Sequence, residues 1–254
     1  RVSEEVLISV ADGVIEVTIN RPEAKNAMTK AAAEGIAAAM DRLDAEDGLR
    51  CAILTGAGGT FCSGMDLKGF LKGELPSAGA RGFGGLTSWT PKKPVIAAVD
   101  GYALAGGMEL AIACDMIVAS KGAKFGIPEA KRGLAAAGGG MVQLPRLLPR
   151  PLAMEMALTG DPITAERAYE LGLVNALTDG PAIEGARALA QRVAANGPLA
   201  LIASKGVIRD SWLWPDDQII ANQTPYVAHV FASEDAREGA TAFAEKRKPE
   251  WKGR

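Results

Sequence analysis

Two glutamates twenty residues apart, Glu109 and Glu129, each sit in a glycine-framed segment: Gly101-Tyr102-Ala103-Leu104-Ala105-Gly106-Gly107-Met108-Glu109-Leu110 and Phe125-Gly126-Ile127-Pro128-Glu129. Two carboxylates brought to one substrate can divide the work of taking and giving a proton. Glycines beside them let backbone N–H groups approach a substrate oxygen and hold the charge that develops on it. A third segment of the same kind lies upstream, Phe61-Cys62-Ser63-Gly64-Met65-Asp66-Leu67. Together they point to acid–base chemistry on a substrate with an oxygen that becomes negative.

Other chemistries find little support. The chain has one histidine, His229, so a two-histidine metal motif is excluded and a Ser-His-Asp reading lacks its nucleophile elbow. His229 reads as a structural helix residue, and no metal site is expected. No Gly-Lys dipeptide occurs, which removes the phosphate-binding loop. Gly56-Ala57-Gly58 follows a strand as a dinucleotide fingerprint would, but Phe61 stands where the third glycine belongs. A formal net charge of −2 gives no reason to expect nucleic acid or an anionic membrane as partner. Three cysteines, Cys51, Cys62 and Cys114, have no metal spacing and lie in apolar or glycine-rich segments, which fits burial in a reducing cytoplasm. Arg1 to Ser9 lack the basic-then-apolar signature of a secretion signal, and no apolar run approaches the ~20 residues that span a bilayer.

The elements that must position the glutamates are α/β in pattern. Val6–Val10 and Val14–Asn20 are β-branched or alternating runs around Ala11-Asp12-Gly13, which predicts a hairpin. Thr29 can cap a helix through about Ala45, where Ile36, Met40 and Leu43 recur at helical spacing. Cys51–Thr55 is an apolar strand. A second round predicts a strand at Val95–Val99, a helix from Gly106 to about Cys114, and strands at Met116–Ala119 and Lys124–Gly126. Strand, strand, helix recurs, suggesting stacked ββα turns rather than a doubly wound sheet. The glycine-rich stretch Lys68 to Trp89 reads as a mobile loop or a partly ordered lid. From Pro151 onward the pattern predicts helices over Leu152–Leu158, Thr164–Leu171, Ala182–Ala195, Leu199–Asp210, Asp216–Ala232 and Ser233–Lys246. Trp212, Trp214, Tyr226 and Phe231 concentrate there and suggest an oligomer contact.

On these segments, together with Asn20-Arg21-Pro22-Glu23-Ala24-Lys25-Asn26-Ala27-Met28 and Ala242-Phe243-Ala244-Glu245-Lys246-Arg247-Lys248-Pro249, the sequence resembles the crotonase superfamily, the enoyl-CoA hydratase/isomerase group, nearly end to end. The resemblance implies a crotonase-like ββα spiral core over residues 1–195 and a helical module over 196–254 that packs trimers, paired into hexamers. It implies an acyl-CoA thioester as substrate, with coenzyme A as part of that substrate and no separate cofactor.

By the same resemblance, Met65 and Gly106 supply the N–H groups that hold the thioester oxygen. Met65 stands where many members have alanine. Glu109 and Glu129 match the hydratases' catalytic pair, Glu109 activating a water for attack on C3 and Glu129 delivering a proton to C2. Ala24, Asp66, Leu67 and Lys68 fall along the CoA path, with Phe243 and Lys246 contributed from a neighbouring subunit. Eight positions beyond Glu129, where several other crotonase chemistries use an aspartate, this chain has Ala137. The segment Glu129-Ala130-Lys131-Arg132-Gly133 is similar to that of carnitinyl-CoA dehydratase-like members. Enoyl-CoA hydratase is the expected activity; the alternatives are a Δ3-Δ2 isomerase, a carnitinyl-CoA dehydratase-like enzyme, or a non-catalytic acyl-CoA-binding scaffold.

Overall fold

The computed structural model describes residues 5–254, so the first four residues of the leader reading at Arg1–Ser9 lie outside it. Strands β1 (Val6–Ala11) and β2 (Val14–Ile19) pair antiparallel. The turn between them has positive φ at both Asp12 (50°) and Gly13 (76°), which matches the twist of a tight hairpin. Helix α1 (Lys30–Ala45) follows, its first turn capped where the Thr29 hydroxyl accepts from the Ala32 N–H. Its buried face carries Ala32, Ala33, Ile36, Ala37, Ala39, Met40 and Leu43, so small side chains let the helix lie close on the sheet.

The chain then winds as a spiral between two sheets. Strand β3 (Cys51–Gly56) enters the larger sheet, and the chain crosses to the smaller one at a bridge from Cys62 to Ala103 before the short helix α2 (Leu67–Phe70). The next turn runs β4 (Val95–Val99) in the large sheet, β5 (Tyr102–Leu104) in the small one, then α3 (Gly106–Ala113). A further turn places β6 (Met116–Ser120) and β7 (Lys124–Gly126) in the same two layers. Each round therefore steps one strand along each sheet, as the recurring strand-strand-helix pattern predicts.

The large sheet has the order β1-β2-β3-β4-β6-β9 and is parallel from β2 onward. Its edge strand β9 (Ala176–Thr178), three half-buried residues between helices, had no sequence signal. Nor did β8 (Ile163–Thr164), which pairs antiparallel with β7. Both faces of the large sheet are covered, which is why β3 and β4 are buried at nearly every position.

The helical part of the chain begins before Pro151. Helix α4 (Gly140–Leu147) starts inside the Gly138-Gly139-Gly140 run and carries Pro145 within it. Glycine and proline both weaken a helix locally, and the burial of Leu144 and the contacts of Gly140 offset that. Then come α5 (Arg150–Thr159), α6 (Ala165–Glu170) and α7 (Ala182–Ala194). Helix α7 covers the second sheet face, where Ala182, Ala186 and Ala190 meet Cys51, Ile53, Ile96 and Val118. Last are α8 (Pro198–Asp210), α9 (Ile219–Phe231) and α10 (Glu234–Ala244).

The sequence reading for Asp216–Ala232 is one helix, but Asp216–Gln218 forms a separate tight turn. The aromatic cluster divides: the Trp214 and Tyr226 rings meet tilted at 46° with centroids 5.7 Å apart, whereas Trp212 and Phe231 are 68% and 82% exposed. His229 is exposed on α9. The three cysteines are buried, as expected. Among the described residues no helix is long and apolar enough to cross a membrane.

Candidate active site

Glu109 enters the interior on the first turn of α3, whose start is set by an unusual backbone. Ala105, just before the helix, has φ 54° and ψ −129°, a conformation that costs a non-glycine residue about 1–3 kcal/mol. It is held there by its N–H, which donates to the Gly126 carbonyl at 2.9 Å. The two glycines that follow have no room for side chains. A Cβ on Gly107 would fall 2.0 Å from the Cys62 carbonyl oxygen, and one on Gly106 would fall 2.3 Å from the Phe83 ring. The α3 N-terminus is thereby pressed against the Cys62–Met65 segment.

That approach brings the Gly64–Met65 segment beside the start of α3. A Cβ on Gly64 (φ 108°) would lie 3.5 Å from the Gly106 nitrogen, and Met65 follows directly. The segment is braced from behind, where Met28 N–H donates to the Gly64 carbonyl and Asp66 N–H to the Met28 carbonyl. Buried Asn26 reinforces the brace by donating its side-chain amide to the Thr60 and Ala57 carbonyls. Among the described residues neither Met65 nor Gly106 donates its N–H to a backbone acceptor, so both remain available to an outside oxygen. The helix end adds its positive dipole at Gly106.

Glu109 and Glu129 line one cavity of about 840 Å³, together with Met65 and Gly106. Their surroundings differ. Glu109 is 4% exposed, and its Oε1 accepts from the Gly140 N–H at 2.8 Å at the start of α4. Burial pushes its pKa up, the Gly140 and Gly138 N–H groups pull it down, and the neighbouring Glu129 charge raises it again. Glu129 sits on a tight turn, Pro128–Arg132, and burial pushes its pKa up against its own backbone N–H and Arg132, which pull it down. Its Oε2 is enclosed with no hydrogen-bond partner among the described residues. Glu109 thus has donors that favour the anion, whereas one oxygen of Glu129 is left in surroundings that favour the neutral acid.

Gly138 and Gly140 are spaced for Glu109. A Cβ on Gly138 would come 2.6 Å from Glu109 Oε2, so the loop passes close only because it is glycine. Gly138→Ala is expected to displace the carboxylate and lower kcat by about tenfold or more with the fold retained, the scale of a small misplacement of a reacting group. Turnover by a variant with an unchanged circular dichroism spectrum checks this, and wild-type kcat would show that the carboxylate position is not critical.

The remaining residues divide. Leu67, Ala135 and Ala137 line the cavity. Ala24, Asp66 and Lys68 do not; Asp66 instead caps α2 and pairs with Arg21 at 2.8 Å. Phe243 is 87% exposed on α10 and, like exposed Lys246, lies off this cavity. Sequence reasoning missed Lys25, Phe83, Tyr102 and Arg132. Lys25, whose ammonium stands 5.7 Å over the Tyr102 ring, directly follows Ala24, so that signal was adjacent. Phe83 had none, being one ring in a glycine-rich stretch.

The stretch Lys68 to Trp89, read from sequence as a mobile loop or a partly ordered lid, is anchored in its second half. Arg81 stacks 3.9 Å over Trp89, donates to the Ala37 carbonyl and pairs with Asp41. Leu86 is buried. These contacts tie the stretch to α1 and hold Phe83 over Gly106.

Comparison with known proteins agrees with this architecture. The family model described as Enoyl-CoA hydratase/isomerase matches residues 9–254. A carnitinyl-CoA dehydratase of Proteus mirabilis is 40% identical over 261 aligned positions, covering 99% of this chain and 100% of that protein. An enoyl-CoA hydratase of Mycobacterium tuberculosis is 41% identical, covering 98% and 97% respectively. Among solved structures, an enoyl-CoA hydratase from Mycobacterium tuberculosis superposes with a TM-score of 0.97 at 54% identity, covering 99% of this chain and 100% of that one.

Proposed function

The chain belongs to the enoyl-CoA hydratase/isomerase family, and we propose that it catalyses the reversible addition of water to a trans-2-enoyl-CoA, giving the 3-hydroxyacyl-CoA. The observation that carries this is the pair Glu109 and Glu129 in one cavity beside two free N–H groups. The thioester oxygen accepts from Met65 and Gly106. Glu109 takes a proton from water as its oxygen bonds to C3; the C2–C3 π electrons move toward the thioester, and C2 takes the proton of Glu129. A further water returns the proton from Glu109 to Glu129, so one water is consumed per turnover. No cofactor beyond the coenzyme A of the substrate enters this scheme. Loss of enoyl absorbance with crotonyl-CoA, and identification of the 3-hydroxyacyl product, tests it; a shifted double bond as the product would make the protein an isomerase instead.

The similarity to a carnitinyl-CoA dehydratase motivates a second reading. The cavity lining carries the rings of Phe83 and Tyr102, which can receive a trimethylammonium group, and also the cations Lys25 and Arg132, which repel one. Carnitinyl-CoA belongs in the same assay as the decisive comparison.

The ordinary Glu pKa is 4.5, and both site carboxylates stand above it because of burial. Glu109 must be ionised to act as base, so the acid limb of kcat/KM is expected to inflect above 4.5. An inflection at or below that value would mean that Glu109 is solvated. Glu129 must be protonated, so the alkaline limb reports its loss of a proton, the two limbs belonging to the coupled pair.

We assign residues 1–195 to the spiral core and 196–254 to a module that assembles trimers and pairs them as hexamers, its last helix reaching a neighbour's site with Phe243 and Lys246. Phe243, Phe231, Leu213 and Ile220 are 87%, 82%, 77% and 72% exposed, apolar surface that assembly would cover. Sedimentation of the full chain as a monomer would refute the assembly.

A further inference from the structure

Two hydrogen bonds and two peptide units connect the Met65 N–H to the guanidinium of Arg21. The Gly64 carbonyl accepts from the Met28 N–H at 2.7 Å, and Ala27, whose carbonyl belongs to the same peptide as that N–H, accepts from Arg21 Nη1. In a trans peptide the C=O and N–H point in opposite directions. The series Arg21, Ala27–Met28, Gly64–Met65 is therefore a head-to-tail chain whose last donor is the Met65 N–H, which has no backbone acceptor among the described residues. A cation stands at one end, and Met65 at the other lines the cavity.

Arg21 also grips the chain from the side. Its Nη2 donates to Asp66 Oδ2 at 2.8 Å, and the Asp66 N–H donates to the Met28 carbonyl, so one guanidinium holds both segments of the bridge between Met28 and Met65. Asp66 Oδ1 accepts from the Lys68 and Gly69 N–H groups. Arg21 is itself fixed: its N–H donates to Asn26 Oδ1 at 2.8 Å, its carbonyl accepts from the Asn26 N–H, and Glu5 stands 3.4 Å from its Nε. The Arg21 and Asp66 side chains are each 16% exposed, so salt and water screen the pair less than they would at the surface.

Resting on the hydratase reading, which puts the thioester oxygen at Met65 and Gly106, we propose that Arg21 is a positioning residue for the reaction: held by Asp66, it aligns the bridge between Met28 and Met65 and polarises the Met65 N–H toward the negative oxygen that develops there. Hydrogen bonds in a chain strengthen one another, and the cation at the far end acts in the same sense. A donor aimed before the charge develops needs no reorganisation at the moment of reaction. Arg21 does not line the cavity. Its effect must therefore follow the negative charge and appear in kcat, leaving the binding of a neutral thioester alone.

Three variants separate alignment from mere folding. Arg21→Gln keeps a donor but loses the charge, Arg21→Lys keeps the charge but lacks the planar fork that reaches both partners, and Asp66→Asn removes the holding charge while its Oδ1 can still cap α2. Each is assayed for hydration of crotonyl-CoA. Calorimetry then compares butyryl-CoA, which stays neutral, with acetoacetyl-CoA at a pH where its enolate forms, the bound enolate being followed by its near-ultraviolet absorption. Arg21→Gln is expected to lower kcat by about tenfold or more, and affinity for the enolate in parallel, with butyryl-CoA binding unchanged. Arg21→Lys and Asp66→Asn should lose less, and Arg21→Gln combined with Asp66→Asn should lose little more than Arg21→Gln alone, since the two residues act as one unit. Wild-type kcat in a folded Arg21→Gln protein, equal weakening toward butyryl-CoA and the enolate, or no preference for the enolate in the wild-type protein would each overturn the proposal. Should Arg21→Gln fail to fold, Arg21→Lys and Asp66→Asn carry the same comparison. If no enoyl-CoA is hydrated, yet the wild-type protein prefers the enolate and the variants lose that preference, the hydratase reading fails and the assignment of Arg21 stands.

Discussion

Glu109→Gln and Glu129→Gln are each expected to lower kcat for enoyl-CoA hydration by roughly 10²–10⁴, the scale of one positioned acid or base. Glutamine keeps the size of the side chain and its capacity to accept the Gly140 N–H, so acyl-CoA binding should change little. The two losses have different origins. At Glu109 the anion that takes the water proton is removed from a place where backbone donors support it. At Glu129 the lost group is an acid whose enclosed oxygen favours holding the proton. Because the two act on one turnover, the double variant should be scarcely slower than either single one. Near-wild-type hydration by either variant would sink the paired mechanism. Loss confined to Glu129→Gln would favour an isomerase, which needs a single carboxylate to move a proton between carbons.

The sequence was most informative where one local cause decides the outcome. The Asp12-Gly13 turn, the Thr29 cap and the apolar runs of β3 and β4 each carry their own signal, and all form as expected. The glutamates and their glycines were legible because tight turns and close approaches restrict residue type. Features set by tertiary contact were less visible. Strand β9 is three residues long and exists because the sheet edge beside β6 is open to it. Helix α4 begins in a triple glycine, contrary to propensity, because Gly140 must come close to Glu109. Phe83 could not have been found from composition, since its role depends on Arg81 and Trp89 anchoring its segment to α1.

Removal of the Gly106 N–H is the other change expected to act strongly, and Phe83 complicates how it must be made. A Cβ at position 106 meets the Phe83 ring at 2.3 Å, so even Gly106→Ala should disturb the site by pushing the ring. Proline there adds the same carbon and also deletes the donor, so a loss in Gly106→Pro alone would have two explanations. Making room first separates them. In a Phe83→Ala background, Gly106→Ala keeps the N–H and has space for its methyl, whereas Gly106→Pro lacks the N–H in nearly the same shape. Proline is tolerated at the first position of a helix, so α3 should survive. The expected result is that the proline protein is slower than its alanine counterpart by at least about 10²-fold in kcat, the cost of one donor lost from a site that holds developing negative charge. Side-chain changes at Met65 should be mild by comparison, because its contribution is also a backbone N–H. Retained circular dichroism and oligomer size are the controls. Equal turnover by the alanine and proline proteins would show that the thioester oxygen is held elsewhere, and the scheme built on Met65 and Gly106 would have to be abandoned even if both glutamates proved essential.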